Sequence, residues 1–224
     1  MGQYRYDTHV HTSEVSQCGK VNAATVVELY KEAGYYGIVI TDHYKKEYFD
    51  SLGNIPWEEK IDMYLSGYNI ARSKGEKIGL KVILGMELKF KFSCNEYLVY
   101  GIDEALLKEN PELYEMGLSR FSRFAASHNL LIYQAHPYRT GMKTAKPEFL
   151  TGVEVFNGNP RHNSRNQKSF AYAKRHDLRM ISGSDFHQLP DLARGGIEIP
   201  EEASNSIEFV KILKNNSIKL IITE

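Results

Sequence analysis

A chain of 224 residues is long enough to bury one sizeable core, and α/β barrels of this size commonly stand alone, so residues 1–224 are read as one domain. Lys plus Arg and Asp plus Glu each number 28, so the formal net charge is zero and no field draws the chain to a polyanion; broad nucleic-acid binding is disfavoured. Hydrophobic residues at 42% and charged residues at 25% are ordinary globular values that leave no room for long disorder.

In chain order, YRYDTHV reads as a first strand. NAATVVELYKEAGY follows as a helix, with Asn22 as its N-cap, Val26, Val27, Leu29, Tyr30 and Ala33 mostly on one side, and Gly34 as its stop. GIVIT is a buried strand, Trp57 to about Lys74 has helical spacing, and LKVILGMEL returns to strand. EYLVYG is expected to pair with it as a hairpin through the KFSCN turn. PELYEMGLSRFSRFAASHN reads as one long helix begun by a favourable proline, and LLIYQ as a strand. GVEVFN, a helix from about Arg165 to His176, RMISGSD, the helix SIEFVKILKNN and the strand IKLIIT complete the chain. This alternation predicts an α/β fold with a mainly parallel sheet, open or closed into a barrel.

Strands of a parallel barrel deliver functional side chains at their C-terminal ends. Here those ends carry Asp7, His9 and His11; Asp42 and His43; Glu87; His136; Asn157 and His162; Asp185 and His187. Alternation sends residues i and i+2 to one face, so Asp7, His9 and His11 are expected to point together, as are Asp185 and His187. Imidazoles and carboxylates are ligands of first-row metals, and their recurrence after separate apolar strands points to a metal centre. His128 and His176 end helical runs, where histidine interacts with terminal carbonyls, and are assigned no chemistry. Glu154 lies inside GVEVF and either points toward the site or meets a buried partner.

The motifs DTHVHT, TDH, GMEL, AHPYR and SGSDFH, in this order and spacing, resemble those of the polymerase-and-histidinol-phosphatase (PHP) metal-dependent phosphoesterases. The resemblance runs from Asp7 to about Gly196. It implies a distorted TIM-like barrel of about seven β/α units, with two or three divalent ions (zinc, manganese or iron) at the C-terminal mouth. On this resemblance His9 and His11 are ligands of one metal, joined by Glu87, which can bridge, and by Asp185. His43 and His187 are ligands of a second, and His136 of a third position. Asp7 and Asp42 are expected behind them, each orienting an imidazole. The chain departs from the family at two places. Where the family often has another histidine or a nearby aspartate, it has Gln17 followed by Cys18. Where three-metal members have a histidine between GMEL and AHPYR, it reads CNEYLVYG, with Asn95 and Glu96 the available substitutes.

The resemblance implies hydrolysis of a phosphomonoester of a small metabolite, such as a histidinol-phosphate-like compound or a nucleotide, by metal-activated water. Arg139 and Arg161 are candidate phosphate clamps, ahead of Arg194, and His162 a candidate substrate ligand or general acid. Two alternatives stay open: an amidohydrolase-like hydrolase of a non-phosphate bond, and a metal-holding module without turnover that serves a partner protein. Cys18 and Cys94 are too few for a disulfide framework. No apolar run reaches a membrane span's roughly 18 residues, and the N-terminus lacks a signal peptide's apolar stretch, so a cytoplasmic protein without membrane contact is expected.

Overall fold

Apolar side chains alternate along most strand-forming segments, and a sheet built from them has an inner and an outer apolar face. The computed structural model describes residues 4–223. Its strands are β1 (Tyr4–Val10), β2 (Gly37–Ile40), β3 (His43–Tyr44), β4 (Lys81–Lys89), β5 (Glu96–Tyr100), β6 (Leu131–Gln134), β7 (Gly152–Asn157), β8 (Arg179–Gly183), β9 (Gly195–Ile199) and β10 (Lys219–Ile222). The helices are α1 (Ala23–Glu32), α2 (Lys46–Ser51), α3 (Trp57–Tyr64), α4 (Ser66–Ile78), α5 (Glu104–Glu109), α6 (Leu118–Ser127), α7 (Asn166–Arg175) and α8 (Ser206–Asn215).

The strands run in the order β10-β9-β1-β2-β4-β5-β6-β7-β8, with β3 beside β4. The segment after β8 returns to β1: the Phe186 N–H donates to His9 O at 3.1 Å and the His11 N–H to Phe186 O at 3.0 Å. These bonds nearly close the sheet into the expected barrel. Strict β/α repetition is interrupted by β5, antiparallel to both neighbours, and by the β9–β10 pair. The hairpin of β4 and β5 forms as its turn suggested, whereas β9, in GGIEI, carries too little apolar alternation to be read in advance.

Asn22 caps α1 by accepting from the Thr25 N–H at 3.0 Å. The helical stretch from Trp57 breaks at Leu65 into α3 and α4. The long helix expected from Pro111 is also divided. Glu112 (φ 54°) and Gly117 (φ 71°) take left-handed backbone, a short 3-10 turn lies between them, and α6 starts only at Leu118.

One end of the barrel interior is filled by Tyr6, Val39, Ile83, Tyr100, Tyr133, Ile181 and Ile197, closed by Phe209, Val210 and Leu213 of α8. Outside the sheet, Val26, Val27 and Tyr30 of α1 pack with Val10, Ile38, Ile40 and Val82. A second outer cluster joins Phe49, Ile61, Tyr64 and Phe121 to Leu84, Met86 and Leu88. At roughly 1.5–3 kcal/mol for each large side chain buried, these layers outweigh any single polar contact. They also set the phase of each strand. With Val82, Leu84, Met86 and Leu88 facing helices and Ile83 facing inward, Glu87 must face inward as well.

In β1 the phase changes. Tyr6 belongs to the interior cluster and Val10 to the outer one, although residues four apart in a regular strand share a face. The pairing with β2 explains this: Asp7 lies opposite Ile38 but Val10 opposite Ile40, so β1 carries one extra residue between them. His9 and His11 therefore face the interior and Asp7 does not, which corrects the expectation that the three point together.

Gly183 makes room for His9. A Cβ there would stand 2.5 Å from His9 Cβ and 3.0 Å from Glu154 Oε1. Gly183→Ala is expected to destabilise the fold by about 1–3 kcal/mol through overpacking. The check is a lowered urea midpoint at unchanged m-value; an unchanged midpoint would mean that this contact relaxes freely.

Candidate metal centre

The inward phase of β4 places the Glu87 carboxylate, 1% exposed, among four imidazoles. Its Oε1 lies 3.3 Å from His9 Nε2 and 3.0 Å from His136 Nε2, and its Oε2 lies 3.4 Å from His11 Nε2 and 2.8 Å from His43 Nδ1. Asp185 faces the same space, its Oδ1 3.4 Å from both His9 Nε2 and His11 Nε2. His187 stacks on His11 with ring centroids 4.2 Å apart. All seven residues expected as ligands thus converge at the mouth of the barrel, opposite the end closed by α8.

Backbone geometry contributes to this. His136 (φ 29°) and Asp185 (φ 54°) both take left-handed conformations that L side chains rarely adopt. Ala135 belongs to the interior cluster, so simple alternation would turn His136 away; its unusual φ brings the ring back toward Glu87. The His136 N–H is held by Glu154 Oε2 at 2.9 Å, which helps to sustain the strain.

The partners of the rings fix their tautomers. Nδ1 of His9 meets Glu154 Oε1 at 2.8 Å, a carboxylate that is 0% exposed. Nδ1 of His11 meets Ser16 Oγ at 3.1 Å, and that hydroxyl donates to Asp42 Oδ1 at 2.7 Å. Nδ1 of His187 meets the Asp185 carbonyl at 2.9 Å. Each Nδ1 therefore carries the proton, and each Nε2 presents its lone pair. Among the described residues, the buried Nε2 atoms of His9 and His11 have no hydrogen-bond partner, the nearest carboxylate oxygens standing 3.3 and 3.4 Å away. A buried imidazole nitrogen without a partner is costly unless something else binds it.

The charges point the same way. Burial opposes ionisation of Glu87, but the imidazoles of His9 and His43 and hydrogen bonds from His136 and His43 hold its carboxyl well below the ordinary range. For Asp185 burial is likewise outweighed, by His9, His11 and Arg139. His9 answers in the opposite direction: against its own burial, Glu154, Asp185 and Glu87 push its pKa well up. His11 is pushed well down by burial and by its neighbours His187 and His43. The carboxylates create a demand for positive charge that one proton meets incompletely and a divalent cation meets well.

Four groups of ligand atoms could each hold an ion, with all atoms of a group within 4.8 Å of one another: His9, His11 and Asp185; His9, Glu87 and His136; His11, His43 and His187; and His43, Glu87 and Glu96. The donor set is mixed imidazole and carboxylate, and Glu87 is shared between groups, as a bridging ligand would be. Glu96 enters the cluster, 3.7 Å from His136 Nε2, and its pKa is raised by burial and by Glu87. Asn95 does not enter it: its Oδ1 accepts from the Lys143 N–H at 2.8 Å and braces the neighbouring loop. Gln17 is exposed.

The residues expected behind the ligands divide. Asp7 orients no imidazole; it accepts from the backbone N–H groups of His9 (3.2 Å) and Ser184 (3.0 Å) and from the Tyr30 hydroxyl (2.7 Å). Asp7 is turned outward by the extra residue in β1, and burial raises its pKa to about 6. Asp42 reaches His11 only through Ser16, its Oδ1 standing 4.0 Å from the ring nitrogen. The direct orienting carboxylate is Glu154, which also accepts from Asn157 Nδ2 at 3.0 Å.

A cleft of about 190 Å³ opens onto the cluster, lined by Cys18, Asn159, Arg139, Arg161 and His162 together with the inner ligands. Arg139 Nη2 donates to Asp185 Oδ2 at 2.6 Å and to Asn157 Oδ1 at 2.9 Å, so this guanidinium already serves a carboxylate. Arg161 Nη2 donates to Asp191 Oδ2 at 2.8 Å, and the same oxygen accepts the His187 N–H at 3.0 Å. Arg194 is not among the cleft-lining residues, and its Nε donates to Gly158 O at 3.1 Å. Burial and the nearby Arg139 lower the pKa of His162. Cys18 is placed with its Sγ 3.2 Å from His43 Nε2; burial raises the thiol pKa, but His187 and His43 pull it down to about 5. Ser16, Asn159 and Asp191 were not foreseen. Only Asp191 leaves a local signal, as the carboxylate closing a capping box with Gln188 just after SDFH.

The family model of the PHP domain matches residues 7–217. An uncharacterized protein of Methanocaldococcus jannaschii is 27% identical over 235 residues, covering 97% of this chain and 82% of that one. A two-domain protein of Bacteroides vulgatus, described as containing a predicted PHP-like metal-dependent phosphoesterase, superposes with a TM-score of 0.70 at 17% identity, over 99% of this chain. The present chain spans 65% of that protein's length. An amidohydrolase from Chromobacterium violaceum, solved with bound sulfate, superposes with a TM-score of 0.55 at 14% identity, over 92% of this chain and 95% of that one. With five motifs converging on one mouth and a match across nearly its whole length, this chain belongs to the PHP domain family.

Proposed function

We propose that the protein is a metal-dependent hydrolase of phosphomonoesters of small molecules. The observation that carries this reading is the ring of buried imidazoles around Glu87 and Asp185, the Nε2 atoms of His9 and His11 without hydrogen-bond partners, with arginines at its rim. His9, His11, Glu87 and Asp185 would hold one divalent ion, His43 and His187 a second, and His136 with Glu87 a third, each imidazole serving one ion. Bound ions supply Lewis acidity, which makes water a nucleophile at neutral pH and offsets charge on the phosphoryl oxygens.

The chain's own residues do the rest. Glu154 and Ser16 keep the Nδ1 protons of His9 and His11 away from the site, so that Nε2 stays available. Arg139 neutralises Asp185 Oδ2 and leaves Oδ1 facing the imidazoles. Arg161, held at the rim by Asp191, presents positive charge to an entering phosphate. Burial and Arg139 shift His162 toward its neutral form, suited to hydrogen-bonding a substrate oxygen. The narrow cleft supports a small ester. The shared inner position is held by the carboxylate of Glu87 and the cleft wall contains no lysine, which favours phosphate esters over the amide chemistry of the Chromobacterium neighbour.

Protein reconstituted with zinc, manganese or iron is expected to release phosphate from an aryl phosphate and from members of a metabolite panel, and His9→Ala to lose both bound metal and turnover. Hydrolysis of amides with no phosphate release would reverse the assignment. Glu154→Gln keeps the shape but not the charge behind His9, and should weaken metal affinity by about 10–100-fold in a competition titration with a chelating dye. An unchanged affinity would remove Glu154 from the centre. Arg161→Ala should raise KM for the phosphate ester by about tenfold or more, with a smaller change in kcat, the size of one lost charge-assisted hydrogen bond. A selective fall in kcat would instead give Arg161 a role in the transition state.

A further inference from the structure

Cys18 is a feature that the proposed chemistry does not use. It lies in the loop between β1 and α1, which is tied on both sides. The Ser16 N–H donates to Thr12 O at 3.0 Å, the Gly19 N–H to Ser16 O at 2.7 Å, and the Lys20 N–H to His187 O at 2.7 Å. Gly19 lets the loop close, since a Cβ there would press on the backbone of Thr12 and Ser16 at 3.0 Å. These bonds deliver the sulfur to the rim of the site, where His43 and His187 both face it.

A thiol beside two histidines is not a site by itself. Here an independent feature lies beneath it: His11 Nε2 is completely buried, has no hydrogen-bond partner, and falls in one group of ligand atoms with His43 and His187. With His11 Nε2 turned to Glu87 and Asp185, His43 and His187 are left to hold an outer ion whose cleft side is open to a further ligand. The Sγ to Nε2 distance of 3.2 Å is close to the roughly 3.5 Å that separates sulfur and nitrogen on one tetrahedral ion.

We propose that Cys18 supplies a thiolate ligand to the outer ion, the one held by His43 and His187. On coordination the thiol releases its proton to solvent and the sulfur donates a lone pair, with no change of oxidation state. A thiolate is a soft ligand, so the outer position takes zinc, cobalt or ferrous iron in preference to manganese or magnesium, while the inner positions, richer in carboxylate, are less selective. The assignment rests on the metal-centre reading above, and the test separates the two.

Chelator-treated full-length protein is titrated with cobalt(II) as wild type, Cys18→Ser and Cys94→Ser, Cys94 being the other free thiol and likewise exposed. The expected result is a sulfur-to-cobalt charge-transfer band in wild type and in Cys94→Ser. The band is absent from Cys18→Ser, in which one metal equivalent binds at least about tenfold more weakly. In a second measurement that needs no variant, metal loading is expected to protect Cys18, but not Cys94, from alkylation by iodoacetamide, read by peptide mass spectrometry. Cobalt bound without a charge-transfer band, or Cys18 alkylated equally with and without metal, overturns the thiolate and leaves the metal centre standing. A protein that binds no cobalt overturns both.

Discussion

Glu87 carries its charge where water does not reach it, and the rest of the site follows from that. A buried carboxylate without compensation costs several kcal/mol, and one imidazole would not be enough, because imidazoles also lose charge on burial. The fold surrounds Glu87 with His9, His11, His43 and His136, drawn from three strands or strand ends, each within 3.4 Å. Those rings then need orienting partners of their own, which is why Glu154, Ser16 with Asp42, and the Asp185 carbonyl lie immediately outside them. The polar shell grows outward from one side chain until it reaches backbone groups and hydroxyls that can be satisfied without charge.

Such a centre lowers the stability of the chain that holds it, and the opposite end of the barrel supplies what is lost. Tyr6, Tyr100, Tyr133 and Phe209 fill the interior below the site, while the Tyr44, Phe49, Tyr64 and Tyr114 rings stack outside β4. This packing does more than stabilise. It holds β4 in the one register that points Glu87 inward, so the apolar layers and the charged mouth are two consequences of the same alternation.

That alternation also decides how much of the site is legible in the sequence. Glu87 lies where regular strand periodicity puts it, and the motif histidines announce their chemistry by type and spacing, whereas Asp185 lies beyond β8 on left-handed backbone. Asp7 was misplaced because a single extra residue in β1 inverts the phase between Tyr6 and Val10, and no local composition marks it. His136 reaches the site against simple alternation through a left-handed φ that tertiary bonds to Glu154 sustain. The divided helices around Leu65 and Gly117 were obscured by continuous helical spacing, and the role of Glu154 by its strand context, which allows two readings until its partners are known. Periodicity reports the face of a residue only while the backbone stays regular, and functional sites are where regularity is given up.

The two oxygens of Asp185 show how the inner cluster and the rim are joined. Oδ1 faces His9 and His11, whereas Oδ2 is bound by Arg139, which also holds Asn157. Asp185 would offer Oδ1 to an ion on the inner side, and the guanidinium on Oδ2 would moderate the charge available there. Arg139 is therefore not a free clamp for substrate. Arg161 is likewise committed, to the buried carboxylate of Asp191, so neither guanidinium at the mouth stands without a carboxylate partner. On the proposed reading, the positive charge that an anionic ester meets would come chiefly from bound ions, which would tie substrate capture to a centre able to act on it.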